Sequence, residues 1–266
     1  MYPLLRQGDR LPTVAAAQIM LNRRLRQGNF IRVDGVFGSR TYDAVRAFQR
    51  SHHLSPDGVV GRSTWTELFS GEPVSVVDAV DVTNPNDMGY EDAAIRGAGG
   101  DPIVSYGMCN GVRVVMQSIQ SRAGAGGIVL LRFHGHGAPG EMGLTVGTGS
   151  HASSEFGLQY IDSLTNYVRQ LAPLFASYGS VELHGCRVGA GSNGRQLVTR
   201  LAQAWGVPVT AGLRTQYGGG NSTFHFEGPT FTAFPRGGTL PDWARSIPVP
   251  EVGGVCVDRG LMSYAR

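Results

Sequence analysis

The sequence contains no lysine, and its 23 basic residues are all arginine. Chemistry that needs a lysine amine is therefore excluded, which removes Schiff-base enzymes, serine–lysine dyads and phosphate-binding P-loops. Cysteine is sparse as well. The three cysteines, Cys109, Cys186 and Cys256, are too few for a disulfide-rich scaffold. We expect Cys109 and Cys256 to be small buried side chains.

Long hydrophobic runs are also missing. The longest strongly apolar run, residues 128–133, contains Arg132 and is far too short to span a bilayer. We therefore expect no transmembrane helix and no membrane insertion. The first ten residues have no apolar signal core, so we expect no ordinary secretory signal.

Glycine is abundant, and charge is distributed unevenly along the chain. The chain has 39 glycines and 14 prolines in 266 residues, while 41% hydrophobic residues still provide a core. Residues 1–71 hold ten arginines against five acidic residues, whereas residues 72–266 hold thirteen against fifteen. The length suits one large domain or two smaller ones, and the basic front segment favours an anionic polymer as its partner.

An internal repeat marks the front domain. The motif Asp-Gly-Val-x-Gly-x-x-Thr begins at Asp34 and recurs 23 residues later at Asp57. Each copy predicts a tight glycine turn followed by the start of a helix. A third helix is predicted over residues 14–25, where apolar residues recur at helical spacing. Residues 1–71 are thus predicted to form a small three-helix, all-α bundle.

This front segment resembles the peptidoglycan-binding type 1 domain over residues 5–70. Pro12 departs from the pattern, because that family has glycine there. The resemblance implies peptidoglycan of a bacterial cell wall as the partner, and it transfers no ligand-contacting residues. The matching positions are Leu5, Gly8, Val14, Gln18, Leu21, 34–38, Thr41, Ala44, Val45, Phe48, Gln49, Leu54, 57–61, Thr64, Trp65 and Leu68.

The rest of the chain predicts an α/β domain. Residues 72–100 carry Asn-Pro and Gly-Gly turn signals and are predicted as a linker or lead-in. Helices and strands then alternate across residues 101–266, which predicts a mainly parallel sheet flanked by helices. The expected helices are 112–121, 158–175 and 194–205, and the expected strands are 128–133, 181–183 and 207–211.

Reactive side chains follow two of these strands. His134 and His136 follow the first strand, and His184 and Cys186 follow the second. Carboxyl ends of parallel strands meet at one edge of a sheet, so we expect these groups to lie together. The pattern predicts Cys186 as nucleophile and His136 as its proton-transfer partner. Backbone N–H groups of Gly137 and Cys186 would form the oxyanion hole, with His134 and His184 supporting.

The same pattern resembles the caspase-like (clan CD) cysteine peptidases. It consists of a strand ending in His136-Gly137-x-x-Gly140, a helix, and a strand ending in Gly185-Cys186 before a glycine-rich loop. It is closest to the His-Gly/Gly-Cys domain of bacterial surface adhesins. The resemblance implies a caspase-like fold, cleavage of peptide (amide) bonds in a protein or peptide substrate, and no cofactor.

Three alternatives remain from the sequence. His134, His136, His184 and Cys186 could instead hold Zn²⁺ in a zinc-dependent wall hydrolase. The pattern Gly-x-Gly-x-x-Gly at residues 189–194 could bind a nucleotide, although no acidic residue stands at the following strand end. The chain could also be a non-catalytic wall-binding adhesion or assembly module.

The expected location follows from the predicted partner. Peptidoglycan implies the periplasm, the cell wall or the extracellular space, reached by a non-Sec route or carried by a phage. No nucleic-acid partner is expected.

Overall fold

The computed structural model describes residues 2–24, 30–82, 85–105, 111–144 and 155–248. The chain divides into two compact units, one formed by residues 2–72 with the segment from 238 onward, the other by residues 73–237. Cys109 and Cys256 lie outside the described residues. The expectation that residues 101–266 all belong to the α/β domain is wrong for residues 238–248, which join the helical unit.

The helical unit contains the three predicted helices. They are α1 (Pro12–Arg24), α2 (Ser39–Ser51) and α3 (Arg62–Leu68). A further helix, α8 (Leu240–Ser246), was not predicted, because its seven residues are too few to show a helical period. Leu240 packs over the first glycine turn, where a Cβ placed on Gly35 would lie 2.7 Å from its side chain.

Two buried glutamines clamp the repeated turns. The Nε2 of Gln18 donates to the aspartate, the valine carbonyl and the threonine of the first motif at 3.0, 3.0 and 3.1 Å. Gln49 makes the same three bonds to the second motif at 2.9, 2.9 and 3.1 Å. Each glutamine also accepts the N–H of the motif's glycine at 2.9 Å. The sequence repeat is thus one glutamine-clamped turn built twice.

The α/β unit is organised around a six-stranded sheet. Its strands are β1 (Ser75–Asp81), β2 (Ile103–Ser105), β3 (Ile128–His134), β7 (Phe175–His184), β8 (Val209–Gly212) and β9 (Thr230–Ala233). Their order is β2-β1-β3-β7-β8-β9, and every pair is parallel except β8 with β9. A small antiparallel sheet follows β3, formed by β4 (Gly137–Ala138), β5 (Glu141–Gly143) and β6 (Glu155–Gly157).

Four α-helices complete the part of this unit that the structure describes. They are α4 (Pro85–Gly97), α5 (Val112–Arg122), α6 (Ile161–Arg169) and α7 (Gly191–Trp205). One face of the large sheet is apolar and packs with α5, α6 and α7. None of the helices in the described ranges is long and apolar enough to cross a membrane. The predicted mainly parallel α/β architecture is therefore confirmed at this level.

Two predictions about elements are wrong. Residues 72–100 are not a linker, because they supply β1, which lies between β2 and β3, and α4. Two buried carboxylates, Asp78 and Asp81, interrupt the apolar run of β1 and conceal it. The helix predicted over 158–175 ends at Arg169, since Pro173 lies in a short 3₁₀ turn and Phe175 begins β7.

The glutamine clamp can be tested by substitution. In Gln49→Ala the turn loses its acceptor and donors, which leaves buried backbone groups unpaired. We expect the free energy of unfolding of the helical unit to fall by about 2–4 kcal/mol, measured by calorimetry. Gln7→Ala is the control, because Gln7 is exposed. Equal stability of the two variants would contradict the clamp.

Candidate active site

The two predicted strand ends lie side by side. In the β3–β7 pair, His134 is the direct register partner of His184. The N–H of Gly135 still donates to the His184 carbonyl at 3.2 Å, so pairing continues to the end of both strands. The residues that follow, His136 and Cys186, therefore leave the sheet at the same edge. The sequence prediction that these strands are neighbours is correct.

The turns after the two strands touch through their backbones. A Cβ placed on Gly137 would lie 3.0 Å from both the amide nitrogen and the carbonyl oxygen of Cys186. It would also lie 2.5 Å from Val188 Cγ2, and the Gly140 N–H donates to the Val188 carbonyl at 3.1 Å. The two residues predicted as oxyanion donors, Gly137 and Cys186, are thus in contact. A side chain at position 137 would separate them.

The Cys186 thiol is half-buried and is held by a loop backbone. Its S–H donates to the Gln216 carbonyl at 3.3 Å, and the Gln216 N–H donates to Sγ at 3.4 Å. The next residue, Arg187, has a left-handed backbone with φ of 59° and donates its N–H to Arg214. Gln216 was not predicted, since a backbone contact leaves no signal in the sequence. The thiol therefore lies against the Gln216 backbone, just beyond the end of β7.

His134 is buried on the second face of the large sheet, which is the face opposite to the one that packs with α5, α6 and α7. The Nε2 of His134 is 3.2 Å from Asp78 Oδ1, and Arg132 binds the same carboxylate at 2.7 and 3.1 Å. Its Nδ1 faces Glu91 Oε2 at 3.7 Å, and only 1% of the residue is exposed. His136, by contrast, is exposed. Of these two histidines, only His136 is exposed to solvent.

Burial and charge shift the titration of this buried network. Burial lowers the pKa of His134 from its ordinary value, against the hydrogen bond to Asp78, which raises it. Burial also opposes ionisation of Asp78. The Arg132 guanidinium and the hydrogen bond from His134 outweigh that cost and hold the pKa of Asp78 well below its usual value. The pair Asp78–Arg132 is therefore charged inside the protein.

The His184 side chain also lies on the second face of the sheet. Its Nε2 lies 3.0 Å from Glu182 Oε2, and its ring stacks on Phe226 at 4.3 Å and on His134 at 5.1 Å. The predicted supporting residues, His134 and His184, thus stack on each other on the second face and bind carboxylates there. Neither is at the mouth of the site.

The four side chains weighed as zinc ligands do not fit one metal ion. The stacked rings of His134 and His184 direct their Nε2 atoms to two different carboxylates, and Cys186 bonds to a backbone. Throughout the described ranges, no three His, Cys, Asp or Glu side chains are grouped as a metal site requires.

The glycine pattern at residues 189–194 has a packing role. A Cβ placed on Gly189 would lie 3.1 Å from the Ala211 carbonyl oxygen, and one on Gly194 would overlap the backbone of Gly189. Gly194 lets the first turn of α7 pack on the loop that follows β7, and Gly189 lets that loop pack against β8. Close packing accounts for Gly189 and Gly194, whereas Gly191 has open space around it and a left-handed φ of 65°.

Two family models match parts of the chain. Residues 10–68 match a peptidoglycan-binding domain, and residues 101–222 match a domain of unknown function, DUF4347. The first match supports the predicted peptidoglycan-binding domain at the front of the chain. The second covers both strand ends of the candidate site, and its family description names no activity.

A curated relative matches part of the chain. An uncharacterized protein of Kitasatospora aureofaciens, from the bpoA1 3′ region, is 42% identical over 66 residues. The match covers 25% of this chain and 55% of the relative. The chain therefore spans about half the length of that relative.

Solved structures show local similarity. A peptidoglycan-binding protein from Clostridioides difficile is 43% identical with a TM-score of 0.23, covering 24% of this chain and 39% of its own. The SleB N-terminal domain is 32% identical with a TM-score of 0.24, covering 26% and 90%. A Burkholderia AP3 phage endolysin is 28% identical with a TM-score of 0.25, covering 47% and 40%. All three TM-scores are too low to support an argument about the fold.

The buried histidine predicts a pH-dependent stability. Because the pKa of His134 is lower in the folded chain, the unfolded chain binds more protons as the pH falls below about 6.5. The free energy of unfolding should then fall by up to about 1.4 kcal/mol per pH unit. Asp78 adds nothing in this range, since its stabilisation is lost only below about pH 3.9.

Urea unfolding of the wild type and His134→Gln, from neutral to mildly acid pH, measures this effect. Glutamine keeps a donor for Asp78 but does not titrate, so the variant should show a shallower pH dependence. Identical slopes in the two proteins would show that His134 is not the group responsible.

The backbone contact at Gly137 predicts a steric effect. In Gly137→Ala the new methyl would meet Val188 and the Cys186 backbone. We expect the free energy of unfolding of the α/β unit to fall by about 1–3 kcal/mol in urea. Gly124→Ala is the matched control, because nothing lies within 4 Å of a Cβ there. A Gly137→Ala protein as stable as this control would refute the close contact.

Proposed function

We propose that this protein is a cell-wall-bound cysteine hydrolase that cleaves peptide (amide) bonds with Cys186 and His136. The observation that supports it most is the backbone contact of Gly137 with Cys186 at the carboxyl ends of two adjacent parallel strands. That contact brings the predicted nucleophile, the segment carrying its base and two N–H groups for an oxyanion to one edge of the sheet. The fold would then be the caspase-like one.

Wall binding belongs to the helical unit. The family match over residues 10–68 supports peptidoglycan as its partner and a cell-wall location. The ten arginines of residues 1–71 suit the anionic polymers of such a wall. The hydrolase would thus act on substrates held near peptidoglycan, either wall peptide stems or proteins of the envelope.

The surroundings of Cys186 suit a nucleophile. The Gln216 N–H donates to Sγ and the S–H donates to the Gln216 carbonyl, so the loop backbone holds the thiol in one place at the sheet edge. His136 is exposed on the neighbouring turn, where it can exchange a proton with a bound substrate. The half-buried thiol keeps some contact with solvent, as attack on an incoming carbonyl requires.

The reaction would run in two steps. In the first, the Cys186 thiolate attacks the amide carbonyl carbon, and the N–H groups of Gly137 and Cys186 bind the negative oxygen. The C–N bond breaks as His136 gives its proton to the leaving amine, which leaves a thioester. In the second, His136 takes a proton from water, hydroxide adds to the thioester, and the acid departs with the thiolate restored.

Labelling of Cys186 by a thiol-reactive probe tests the pair. At neutral pH an unassisted thiol is only a few per cent ionised, so we expect labelling to slow by about tenfold in His136→Ala. The exposed His225 provides the control variant, His225→Ala, which should label like the wild type. Peptide mapping by mass spectrometry separates Cys186 from the other two cysteines.

Two further measurements separate the alternatives. Cys186→Ala should lose hydrolysis of wall peptides or envelope proteins and still sediment with purified peptidoglycan. Slow labelling that does not depend on His136, with no hydrolysis by the wild type, would refute the peptidase and leave a wall-binding adhesion module. Stoichiometric zinc in elemental analysis, lost in Cys186→Ala, would favour the zinc-dependent hydrolase instead.

A further inference from the structure

We infer that Asp81 is a positioning residue for His136, so that the proposed pair is served by a carboxylate from a third strand. This inference rests on the proposed function for its consequence in catalysis, while the contact between the two side chains can be measured independently. Asp81 is the last residue of β1, and only 7% of it is exposed.

The topology brings Asp81 to the candidate site. The chain passes from β1 outward to β2 and then returns to the other side of β1 to form β3, so the strand order reverses between β1 and β3. In open parallel sheets, ligands bind outside the carboxyl ends of the strands at this kind of reversal. The carboxyl ends of β1, β3 and β7 carry Asp81, His136 and Cys186 in the order of the strands.

Contacts at two glycines place the Asp81 carboxylate near the Cβ of His136. A Cβ placed on Gly143 would lie 3.8 Å from Asp81 Oδ2 and 3.9 Å from His136 Cβ. A Cβ placed on Gly135 would lie 3.5 Å from Asp81 Cβ. The Gly143 N–H donates to the His136 carbonyl at 2.8 Å, which fixes the turn against β5. Asp81 and His136 therefore border the same small space next to Gly143.

The backbone around Asp81 holds it at this edge. Its strand partner is Ser105, and the Val82 N–H donates to the Ser105 carbonyl at 2.9 Å. The hydroxyl of Ser105 donates to the carbonyls of Val80 and Leu144. Its O–H is therefore not directed at the Asp81 carboxylate. Backbone pairing with β2 thus holds the end of β1 in place without any contribution from the side chains of the candidate site.

Strand alternation separates this carboxylate from the buried network. Residues three apart on a strand point to opposite faces, so Asp78 and Asp81 serve different sides of the sheet. Asp78 binds His134 and Arg132 on the second face. Asp81 follows Ala79, which belongs to the apolar core on the helix-covered face. His134 at the end of β3 has Asp78 as its carboxylate on β1, and His136 just beyond the strand would have Asp81.

A carboxylate in this place has a definite chemical use. An exposed imidazole rotates and exists as two tautomers, only one of which presents a basic nitrogen to the thiol. A carboxylate that accepts the N–H of one ring nitrogen selects the tautomer and stabilises the imidazolium formed during proton transfer. Asp81 would act through His136 and would not touch the substrate.

The test compares the full chain with Asp81→Asn and Asp81→Ala, with Asp162→Asn as a control at a carboxylate that is 85% exposed. The first readout is the rate of Cys186 labelling from mildly acid to alkaline pH. The second is the nitrogen-15 spectrum of histidine-labelled protein, in which His136 is assigned by its absence from His136→Ala and reports its tautomer. Asparagine preserves the size of the side chain and thereby guards against a failure to fold.

We expect wild type and Asp162→Asn to show one His136 tautomer and the same labelling profile. In Asp81→Ala the tautomers should mix, and labelling at neutral pH should slow by about tenfold, as in His136→Ala. Asp81→Asn should fall between, since its amide oxygen still accepts the ring N–H but carries no charge.

Two outcomes would overturn parts of this account. A folded Asp81→Ala protein with the wild-type tautomer and labelling profile would refute the role of Asp81. If His136→Ala leaves labelling unchanged while Asp81→Ala still mixes the His136 tautomers, the contact stands and the proposed peptidase fails. The two readouts therefore distinguish failure of this inference from failure of the proposed function.

Discussion

The parallel pairing of β3 with β7 is the constraint on which the candidate site depends. It makes His134 and His184 register partners and carries His136 and Cys186 to one edge. Parallel strands need a long crossover, here through α6, so the two halves of the site lie some fifty residues apart in sequence. Local sequence cannot impose such a contact. The sheet imposes it, because a slip by one residue would exchange the two faces.

Buried charge makes that register more specific. Asp78, Arg132, Glu182, Thr210 and Thr232 are direct partners in a row across five strands of the second face. A buried ion pair adds little net stability over an apolar pair, but a register that broke it would leave a charge uncompensated at a cost of about 3–5 kcal/mol. The polar row therefore selects the alignment, while the apolar face provides most of the stability.

The sequence predicted the parts of the fold with strong local signals. The Asp-Gly repeat predicted α2 and α3, and the apolar run before His134 predicted β3. It missed β1 because Asp78 and Asp81 break the apolar pattern, and those residues are acceptable in a buried strand only through partners that are distant in sequence. The candidate pair was visible because histidine and cysteine are rare and stood at predicted strand ends. Gln216 and Asp81 were not, since one contributes its backbone and the other lies on the strand that was missed.

Close packing explains why glycine is frequent at the edge of the sheet that carries His136 and Cys186. Side chains at positions 135, 137, 185 and 189 would meet backbone or buried side chains of the neighbouring turn. Closely packed turns let backbone N–H groups from two different strands approach one point, which larger residues would prevent. The same closeness leaves little room, so only side chains that point outward from the edge, such as His136, remain exposed. The chemistry proposed for this edge therefore depends on how firmly the exposed imidazole of His136 is oriented.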